Sequence, residues 1–383
     1  MKGYKGYEKG LICRGKQYAV GEVFEEGSAE ICKSGMHFCK NPLDILDYYP
    51  FIDTNGNLTE FTEVEALDEP KTDDGEKFCT KKLKIGAKLS LSEFVKASFS
   101  VAYENIKAEA EESADAETGG GGATLAGGDY AKLAGGNCAK LAGGGGAKLA
   151  GGDYAKLAGG NYATLAGGNC AKLAGGDYAT LAGGNYAKLA GGNCAKLAGG
   201  GGAKLAGGNY ATLAGGNCAK LAGGGGATLA GGDYAKLAGG NCAKLAGGGG
   251  AKLAGGDYAK LAGGNYATLA GGNCAKLAGG DYATLAGGNY AKLAGGNCAK
   301  LAGGGGAKLA GGNYATLAGG NGALIVGDQG SVAKGGIGSV ILLVSRDADG
   351  NITAYKAIKI DGKRYKADVF YTLGEDGKVK VAE

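Results

Sequence analysis

Four side chains near the N-terminus, Arg14, His37, Glu63 and Glu65, are the candidates for catalytic chemistry. Arg14 follows a predicted strand, His37 is the single histidine of the 383 residues, and Glu63 and Glu65 flank Val64. An arginine can hold a phosphate through paired hydrogen bonds, and a carboxylate can stabilise charge that develops during a reaction. These four residues are therefore the candidate catalytic set of the chain.

The order of these elements resembles that of ADP-ribosyltransferases. In that family, a strand Arg or His holds the nicotinamide dinucleotide, and a Glu of an E-x-E pair stabilises an oxocarbenium-like transition state or orients the acceptor. The resemblance implies such roles for Arg14, His37, Glu63 and Glu65. A simpler interpretation is favoured, because alternate residues of a strand share one face and the two glutamates then face solvent. We assign no catalytic residue and predict that the chain is not an enzyme.

The eleven cysteines predict free thiols rather than a metal or disulfide framework. Their spacings match no zinc pattern, and the first residues lack the apolar run of a signal peptide. We therefore expect a cytoplasmic protein with no cofactor, no metal and no membrane partner. Four cysteines lie near the N-terminus (Cys13, Cys32, Cys39, Cys79), and seven lie in a repeat (Cys138, Cys170, Cys194, Cys218, Cys242, Cys274, Cys298).

The repeat runs from Ala123 to Gly322 as 25 octads, numbered here from 1, with the pattern A-[KT]-L-A-G-G-x-x. The final pair of each octad is Asp-Tyr, Asn-Tyr, Asn-Cys or Gly-Gly, except for a last Asn-Gly. An eight-residue period does not keep one face of a helix, and the chain has too little proline for collagen. A parallel β-solenoid satisfies the pattern, because each strand stacks on a copy of itself.

Strand alternation places the leucine of each octad in the solenoid core and its neighbours outside. The Gly-Gly pair and the Asn or Asp that follows are expected at corners with positive φ. The predicted core includes Leu125, Leu133, Leu141, Leu149, Leu157 and Leu165. The predicted surface ladders include Lys132, Lys140, Lys148, Tyr130, Tyr154, Cys138 and Cys170.

A coil could contain two octads or three. The final pair is never identical two octads apart and is identical in 14 of 22 comparisons three apart, which favours 24 residues per coil. A triangular coil of small side chains would leave costly voids, which favours 16 residues. We favour 16, with 24 as the alternative. Octads 1 to 12 recur as octads 14 to 25, and this 104-residue duplication would exchange the two faces, so neither face is expected to be reserved for one chemistry.

Octapeptide solenoids resemble the repeats of bacterial ice-nucleation proteins, which carry T-x-T rows that order water. Here Lys fills that row in 17 of 25 octads, so ice binding is only an alternative. The lysine columns could bind nucleic acid or another polyanion. Equally, they could keep a β-structure soluble and prevent edge pairing, and this interpretation is favoured.

The segments on both sides of the repeat predict an α+β head at 1–122 and a β-meander cap at 323–383. In the head, Asn41-Pro42 opens a helix, 61–66 and 82–85 alternate as strands, and 90–107 has the spacing of an amphipathic helix. The head carries 15 basic and 23 acidic residues, whereas the repeat carries 17 Lys and 6 Asp. The cap contains strands near 339–345, 352–360, 364–373 and 378–382.

Residues 2 to 90 contain the runs KGYEKGLICRGKQYAVGEVFEE, GMHFCKNPLDILDYYP and KFCTKKLKIGA. They resemble an uncharacterised domain of phage and prophage-associated bacterial proteins that often precedes short tandem repeats. The resemblance implies a phage or mobile-element origin and no established activity. We therefore predict a structural protein, a β-solenoid rod that acts as a spacer or self-associating scaffold. An ADP-ribosyltransferase-like head on the rod is the alternative.

Overall fold

The computed structural model describes residues 1–31, 33–49, 59–90, 93–94, 97–98, 101, 116–374 and 376–382. The chain divides into two units, Met1–Gly223 and Gly224–Glu383. Strands dominate both units, and each unit contains a segment of parallel β-solenoid.

The N-terminal part of the first unit is an antiparallel sheet of six strands in the order β4-β8-β6-β1-β5-β7, beside a two-stranded hairpin, β2-β3. The predicted strands at 61–66 and 82–85 are confirmed as β6 and β8. The strand bounds are β1 Lys2–Tyr7, β2 Ile12–Cys13, β3 Lys16–Gln17, β4 Val23–Glu25, β5 Met36–Cys39, β6 Glu60–Ala66, β7 Lys77–Thr80 and β8 Lys82–Leu89.

The predicted helix start at Asn41 is confirmed, but the helix is a 3₁₀ helix, Pro42–Asp47. The Asn41 side chain accepts a hydrogen bond from the Leu43 N–H at 3.2 Å, as an N-cap should. Of the predicted helix 90–107, the described residues 93–94, 97–98 and 101 are helical. Ser90 and Glu93 form a capping box at its start, and Phe94 is fully buried.

In the first unit, odd-numbered octads form one parallel sheet and even-numbered octads form a second. A short strand, β9 Ala116–Thr118, pairs with the first even strand. The odd strands are β10 Thr124–Ala126, β12 Lys140–Ala142, β14 Lys156–Ala158, β16 Lys172–Ala174, β18 Lys188–Ala190, β20 Lys204–Ala206 and β22 Lys220–Ala222. The even strands are β11 Lys132–Ala134, β13 Lys148–Gly151, β15 Thr164–Gly167, β17 Thr180–Gly183, β19 Lys196–Gly199 and β21 Thr212–Gly215.

The strand register confirms the 16-residue coil. Leu141 pairs with Leu157, and Leu149 pairs with Leu165, so each residue stacks on its counterpart two octads away. The 24-residue alternative is therefore wrong. Identical final pairs three octads apart do not stack on one another, because octads three apart contribute strands to opposite sheets.

The solenoid interior is built from the leucine and the first alanine of each octad. Leu133, Leu141, Leu149, Leu157 and Leu165 are at most 2% exposed. Leu125 belongs to the first coil and is only half-buried. A fully buried leucine contributes about 1.5–3 kcal/mol, and each coil contributes two.

The expected positive φ of the Gly-Gly pair and the following Asn or Asp is wrong. The last residue of each octad adopts that conformation instead, as at Tyr130 (φ 61°), Cys138 (φ 61°) and Gly146 (φ 66°). The glycines are required by space: a Cβ on Gly175 would lie 2.6 Å from the Ala179 Cβ. The sequence could not distinguish a need for positive φ from a lack of space for a Cβ, because glycine satisfies both requirements.

The Asn or Asp of the final pair forms a ladder along each corner. Its Oδ1 accepts a hydrogen bond from the backbone N–H sixteen residues later. The Asp153 N–H donates to Asn137 Oδ1 at 2.9 Å, and the Gly201 N–H donates to Asn185 Oδ1 at 2.8 Å. Corners with Asn or Asp are therefore tied to the next coil by a side chain as well as by the strands.

The second unit repeats this arrangement and continues it beyond Gly322. Its odd strands are β24 Lys236–Ala238, β26 Lys252–Ala254, β28 Thr268–Ala270, β30 Thr284–Gly287, β32 Lys300–Gly303, β34 Thr316–Gly319 and β36 Val332–Gly335. Its even strands are β23 Thr228–Gly231, β25 Lys244–Gly247, β27 Lys260–Gly263, β29 Lys276–Ala278, β31 Lys292–Gly295, β33 Lys308–Gly311, β35 Leu324–Gly327 and β37 Val340–Arg346.

Antiparallel strands end both sheets of the second unit. β38 Ile352–Lys359 pairs with β37, and β39 Tyr371–Leu373 pairs with both β36 and β40 Val379–Val381. The predicted strand 364–373 is too long, since only its last three residues form a strand. Ile325, Ala333 and Ile341 take the leucine position in β35, β36 and β37 and are fully buried.

Candidate functional sites: a cavity in the N-terminal domain and lysine columns on the solenoid

A cavity of about 740 Å³ opens in the N-terminal sheet beside the β2-β3 hairpin and the 3₁₀ helix. The central strands β1 and β5 form its floor. The side chains that carry its chemistry are basic or aromatic: Lys5, Arg14, Lys16, Lys33, Lys77, His37, Tyr4, Tyr18, Tyr48 and Tyr49.

Lys5 lies at the base of the cavity and is only 3% exposed. Its Nζ donates hydrogen bonds to the His37 carbonyl oxygen at 2.8 Å and to the Cys13 Sγ at 3.3 Å. It also lies 5.5 Å from the ring centroids of Tyr7 and Tyr18. Burial lowers the pKa of Lys5, with the nearby Cys13 thiol opposing that shift.

The glycines beside Lys5 explain how the run KGYKGY forms a central strand. A Cβ on Gly3 would lie 2.5 Å from Phe38 Cδ2, and a Cβ on Gly6 would lie 2.6 Å from Ile45 Cγ2. These close approaches pack β5 and the 3₁₀ helix against β1 and close the cavity around Lys5.

Cys13 connects Lys5 to the tyrosine wall of the cavity. The distance between the Cys13 Sγ and the Tyr49 Oη is 2.9 Å. Burial raises the pKa values of Tyr18 and Tyr49 above their usual range, so both phenols stay neutral. Burial, together with the nearby Asp44, raises the pKa of the Cys39 thiol to about 12.

Arg14 lies at the mouth of the cavity in the two-residue turn of the β2-β3 hairpin. Arg14 has φ 52° and Gly15 has φ 76°, the pattern of a type I′ turn. The next residue, Lys16, forms an ion pair with Glu26 at 3.0 Å. The other Glu26 carboxylate oxygen accepts the Gly35 N–H at 3.1 Å.

His37 is half-buried on β5 and has its pKa lowered to about 4. Burial is the largest cause, and the positive charges of Lys77, Arg14 and Lys5 add to it. The imidazole is therefore neutral at pH 7.

The structure brings Arg14 and His37 together but places Glu63 and Glu65 elsewhere. The two glutamates line a second cavity of about 640 Å³, with Lys2, Lys40 and Lys84 among its other lining residues. The carboxylate beside Arg14 and His37 is Glu26. The ADP-ribosyltransferase hypothesis stays a prediction, and these positions give its four residues no shared cavity.

Sequence reasoning missed Lys5, Tyr18, Glu26 and Tyr49. Lys5 could have been found from its spacing, since it alternates with Gly3 and Tyr7 on the buried face of a strand. The other three carried no signal, because they lie far from Lys5 in the chain and follow no period.

The second surface is a column of six exposed lysines on the odd-octad sheet of the first unit. They pair in strand register without interruption, at an expected spacing of about 4.8 Å. We call Lys140, Lys156, Lys172, Lys188, Lys204 and Lys220 the lysine column. The even-octad sheet of that unit instead mixes Lys and Thr, and these residues are half-buried.

In the second unit, the uninterrupted lysines lie on the other sheet. Its even-octad sheet carries lysine in five successive strands, from Lys244 to Lys308, whereas its odd-octad sheet mixes Lys and Thr. Each whole sheet contains both Lys and Thr, so the expectation that no face is reserved for one chemistry is confirmed, although each unit has an uninterrupted run of lysines on one sheet. The duplication exchanges the faces, as predicted, and this exchange hid the column in the sequence.

Among the described residues, no group of three or more His, Cys, Asp or Glu side chains could hold a metal ion, and the cysteines are free thiols. Cys32 lies outside the described residues. Cys138 is exposed and Cys170 is half-buried at the corners. In the part of the chain that the structure describes, no helix is long and apolar enough to cross a membrane.

Comparison with protein families matches residues 1–97 to a domain of unknown function (DUF7666). This segment contains the cavity and ends before the repeat begins. Comparisons with curated proteins and with solved structures found no match.

Proposed function

We propose that this protein is a structural and interaction protein whose β-solenoid acts as a spacer or scaffold for the N-terminal domain. The observation that carries the proposal is the constant register of the repeat, in which the same core and corner contacts recur every 16 residues. Such a structure has a length set by the number of coils, because each coil adds about 4.8 Å. The resemblance of residues 2–90 supports a phage or mobile-element origin.

Deletion of whole coils tests the spacer. Removing residues 155–218 takes out octads 5 to 12 and joins Tyr154 to Ala219, so that an even octad still precedes an odd one. We expect a folded protein whose maximum dimension in solution X-ray scattering falls by about 19 Å. The matched control removes only residues 155–210, which are seven octads. Every later octad then lies on the opposite sheet, so the control separates the effect of a changed sheet assignment from the effect of a shorter repeat. An unchanged maximum dimension in the first variant would contradict the proposal.

A second candidate function, polyanion binding, is favoured by the lysine column. Six like charges at about 4.8 Å repel one another unless an anion lies along them. Salt ions can supply that charge, and so can a nucleic acid, which would release its counterions on binding. Self-association through this face would also need a bridging anion.

A triple substitution on the full chain tests the lysine column. We expect Lys156→Thr, Lys172→Thr and Lys188→Thr to weaken binding of a double-stranded DNA and to lower its salt dependence by about one unit of slope per lost contact. The matched control substitutes Lys132, Lys148 and Lys196 on the even-octad sheet of the same unit, where threonine interrupts the lysines. Threonine occupies this position in eight octads, so both variants should fold. Equal losses in the two variants, or no DNA shift at low salt, would exclude the column as the binding surface.

A further inference from the structure

The cavity of the N-terminal domain concentrates positive charge. Five cationic side chains line it, Lys5, Arg14, Lys16, Lys33 and Lys77. Glu26 is the one carboxylate among its described lining residues, and both of its oxygens are engaged, by Lys16 and by the Gly35 N–H. Lys33 pairs with Glu30 at 3.5 Å. For Lys5 and Arg14, the described lining residues of the cavity supply no carboxylate other than Glu26.

Lys5 shows this imbalance most clearly. Its ammonium group is buried, and its two described hydrogen-bond acceptors are a carbonyl oxygen and a thiol, neither of which carries a full negative charge. A buried charge is costly unless an opposite charge accompanies it. A bound anion would supply the missing charge, whereas an uncharged ligand would not.

The wall of the cavity is aromatic. Tyr4, Tyr18, Tyr48 and Tyr49 line it beside the neutral imidazole of His37. Tyrosine rings stack on flat heterocycles with little dependence on their identity. An inorganic anion alone would contact the cations but not the tyrosine rings.

We propose that this cavity binds a nucleoside phosphate, whose phosphate contacts the cationic side chains and whose base stacks on the tyrosines. Its volume of about 740 Å³ lies in the range of small-ligand sites, about 300–1,000 Å³. The inference goes beyond the spacer function and does not depend on it, because it uses only residues of the N-terminal domain.

Calorimetric titration of the full chain tests this inference with three probes: ADP, adenosine and inorganic pyrophosphate. ADP is expected to bind at least about tenfold more tightly than either of the others, since each lacks one half of the recognised chemistry. Pyrophosphate binding as tightly as ADP would overturn the stacking part. Adenosine binding as tightly as ADP would overturn the charge part, and the absence of ADP binding at millimolar concentration would overturn the whole proposal.

Substitutions place the site in this cavity. Arg14→Asn removes the charge and creates Asn-Gly, the preferred pair for a type I′ turn, so the hairpin should be retained. We expect it to weaken ADP binding about tenfold or more, since a charge-assisted phosphate contact is lost. Tyr48→Leu should weaken ADP binding more than pyrophosphate binding, because it removes an exposed ring at the rim while Lys77, 4.3 Å from the centroid of that ring, keeps its charge.

Lys40→Asn is the matched control, because Lys40 is an exposed lysine of the second cavity and is absent from the first. Its ADP affinity should equal that of the unmodified chain. Lys5→Met, similar in volume and uncharged, should abolish binding without loss of the circular dichroism signal. An unchanged affinity in both Arg14→Asn and Lys5→Met would overturn the assignment of the site.

Discussion

The N-terminal domain and the repeat stabilise polar groups in opposite ways. In the N-terminal domain, each contact is made once between unlike residues, as among Lys5, Cys13, Tyr49 and the His37 carbonyl. In the repeat, one contact between equivalent octad positions is copied every 16 residues. A binding site needs unlike groups that converge, whereas a spacer needs identical groups that add, so the two regions suit different functions.

Among the single substitutions proposed to test this comparison, the largest loss of stability is expected in the repeat. Gly176→Ala places a Cβ against the Asn161 side chain and 2.8 Å from the Asn161 backbone nitrogen, so the two coils must separate. We expect a loss of about 1–3 kcal/mol in the free energy of unfolding, measured by denaturant titration.

Gly128→Ala is the control for that substitution. Gly128 occupies the same octad position in the first coil, and a Cβ there meets nothing within 4 Å. Its stability should stay within about 0.5 kcal/mol of the unmodified chain. An equal loss of stability in both variants would show that glycine occupies this position because of its backbone flexibility rather than because of the close spacing of the coils.

A smaller effect is expected from the corner ladder. Asn185→Ala removes the acceptor of the Gly201 N–H, and we expect a loss of about 1 kcal/mol in the free energy of unfolding. Asn185→Asp keeps the acceptor, and its neighbours in the column, Asn169 and Gly201, are uncharged. Thermal melts should therefore show the Asp variant close to the unmodified chain, whereas a lower melting temperature in the Asp variant than in the Ala variant would contradict a role as acceptor.

The same difference explains what could be predicted from the sequence. The period of the repeat directly reports its contacts, so the 16-residue coil and the buried leucines follow from spacing and packing. The positive φ at Tyr130 and Cys138 could not be inferred, because these residue types disfavour that conformation and only the corner geometry imposes it.

In the N-terminal domain, contacts leave no period to detect. Lys5, Cys13 and Tyr49 are separated by 8 and 36 residues, and two glycines in KGYKGY obscure the central strand β1. The sequence indicated Arg14 and His37 by residue type alone. Neither the separation of Glu63 and Glu65 from them nor the cavity between the hairpin and the 3₁₀ helix could be derived without the sheet order.

A pH titration sharpens the comparison for the cavity. The pKa of His37 is about 4 in the folded protein and about 6.5 in an unfolded chain. Between these values the unfolded chain binds a proton that the folded protein does not, so His37 makes stability fall as the pH falls from about 6.5 to 4. His37→Gln should reduce the fall in melting temperature between pH 7 and pH 4.

The carboxylates also titrate in this range, but they are present in both the unmodified chain and the His37→Gln variant. The difference between the melting temperatures of these two proteins as a function of pH therefore isolates His37. The groups that lower its pKa besides burial are Lys77, Arg14 and Lys5. Arg14→Asn should therefore reduce the acid sensitivity slightly in the same direction. Parallel melting curves for the unmodified chain and His37→Gln would contradict the lowered pKa of His37.

The last prediction concerns ADP-ribosyl transfer, for which no activity is expected. Transfer would need a carboxylate at the ribose and a cation at the phosphate of one bound dinucleotide. Arg14 and His37 line one cavity, Glu63 and Glu65 line another, and Glu26 is already engaged by Lys16 and Gly35. We therefore expect no label on the protein after incubation with a labelled nicotinamide dinucleotide. Label that disappears in both Glu65→Gln and Arg14→Asn would establish the enzyme. ADP binding without such label would instead show that the N-terminal domain recognises a nucleotide and leaves it intact, as a domain held on a spacer could do.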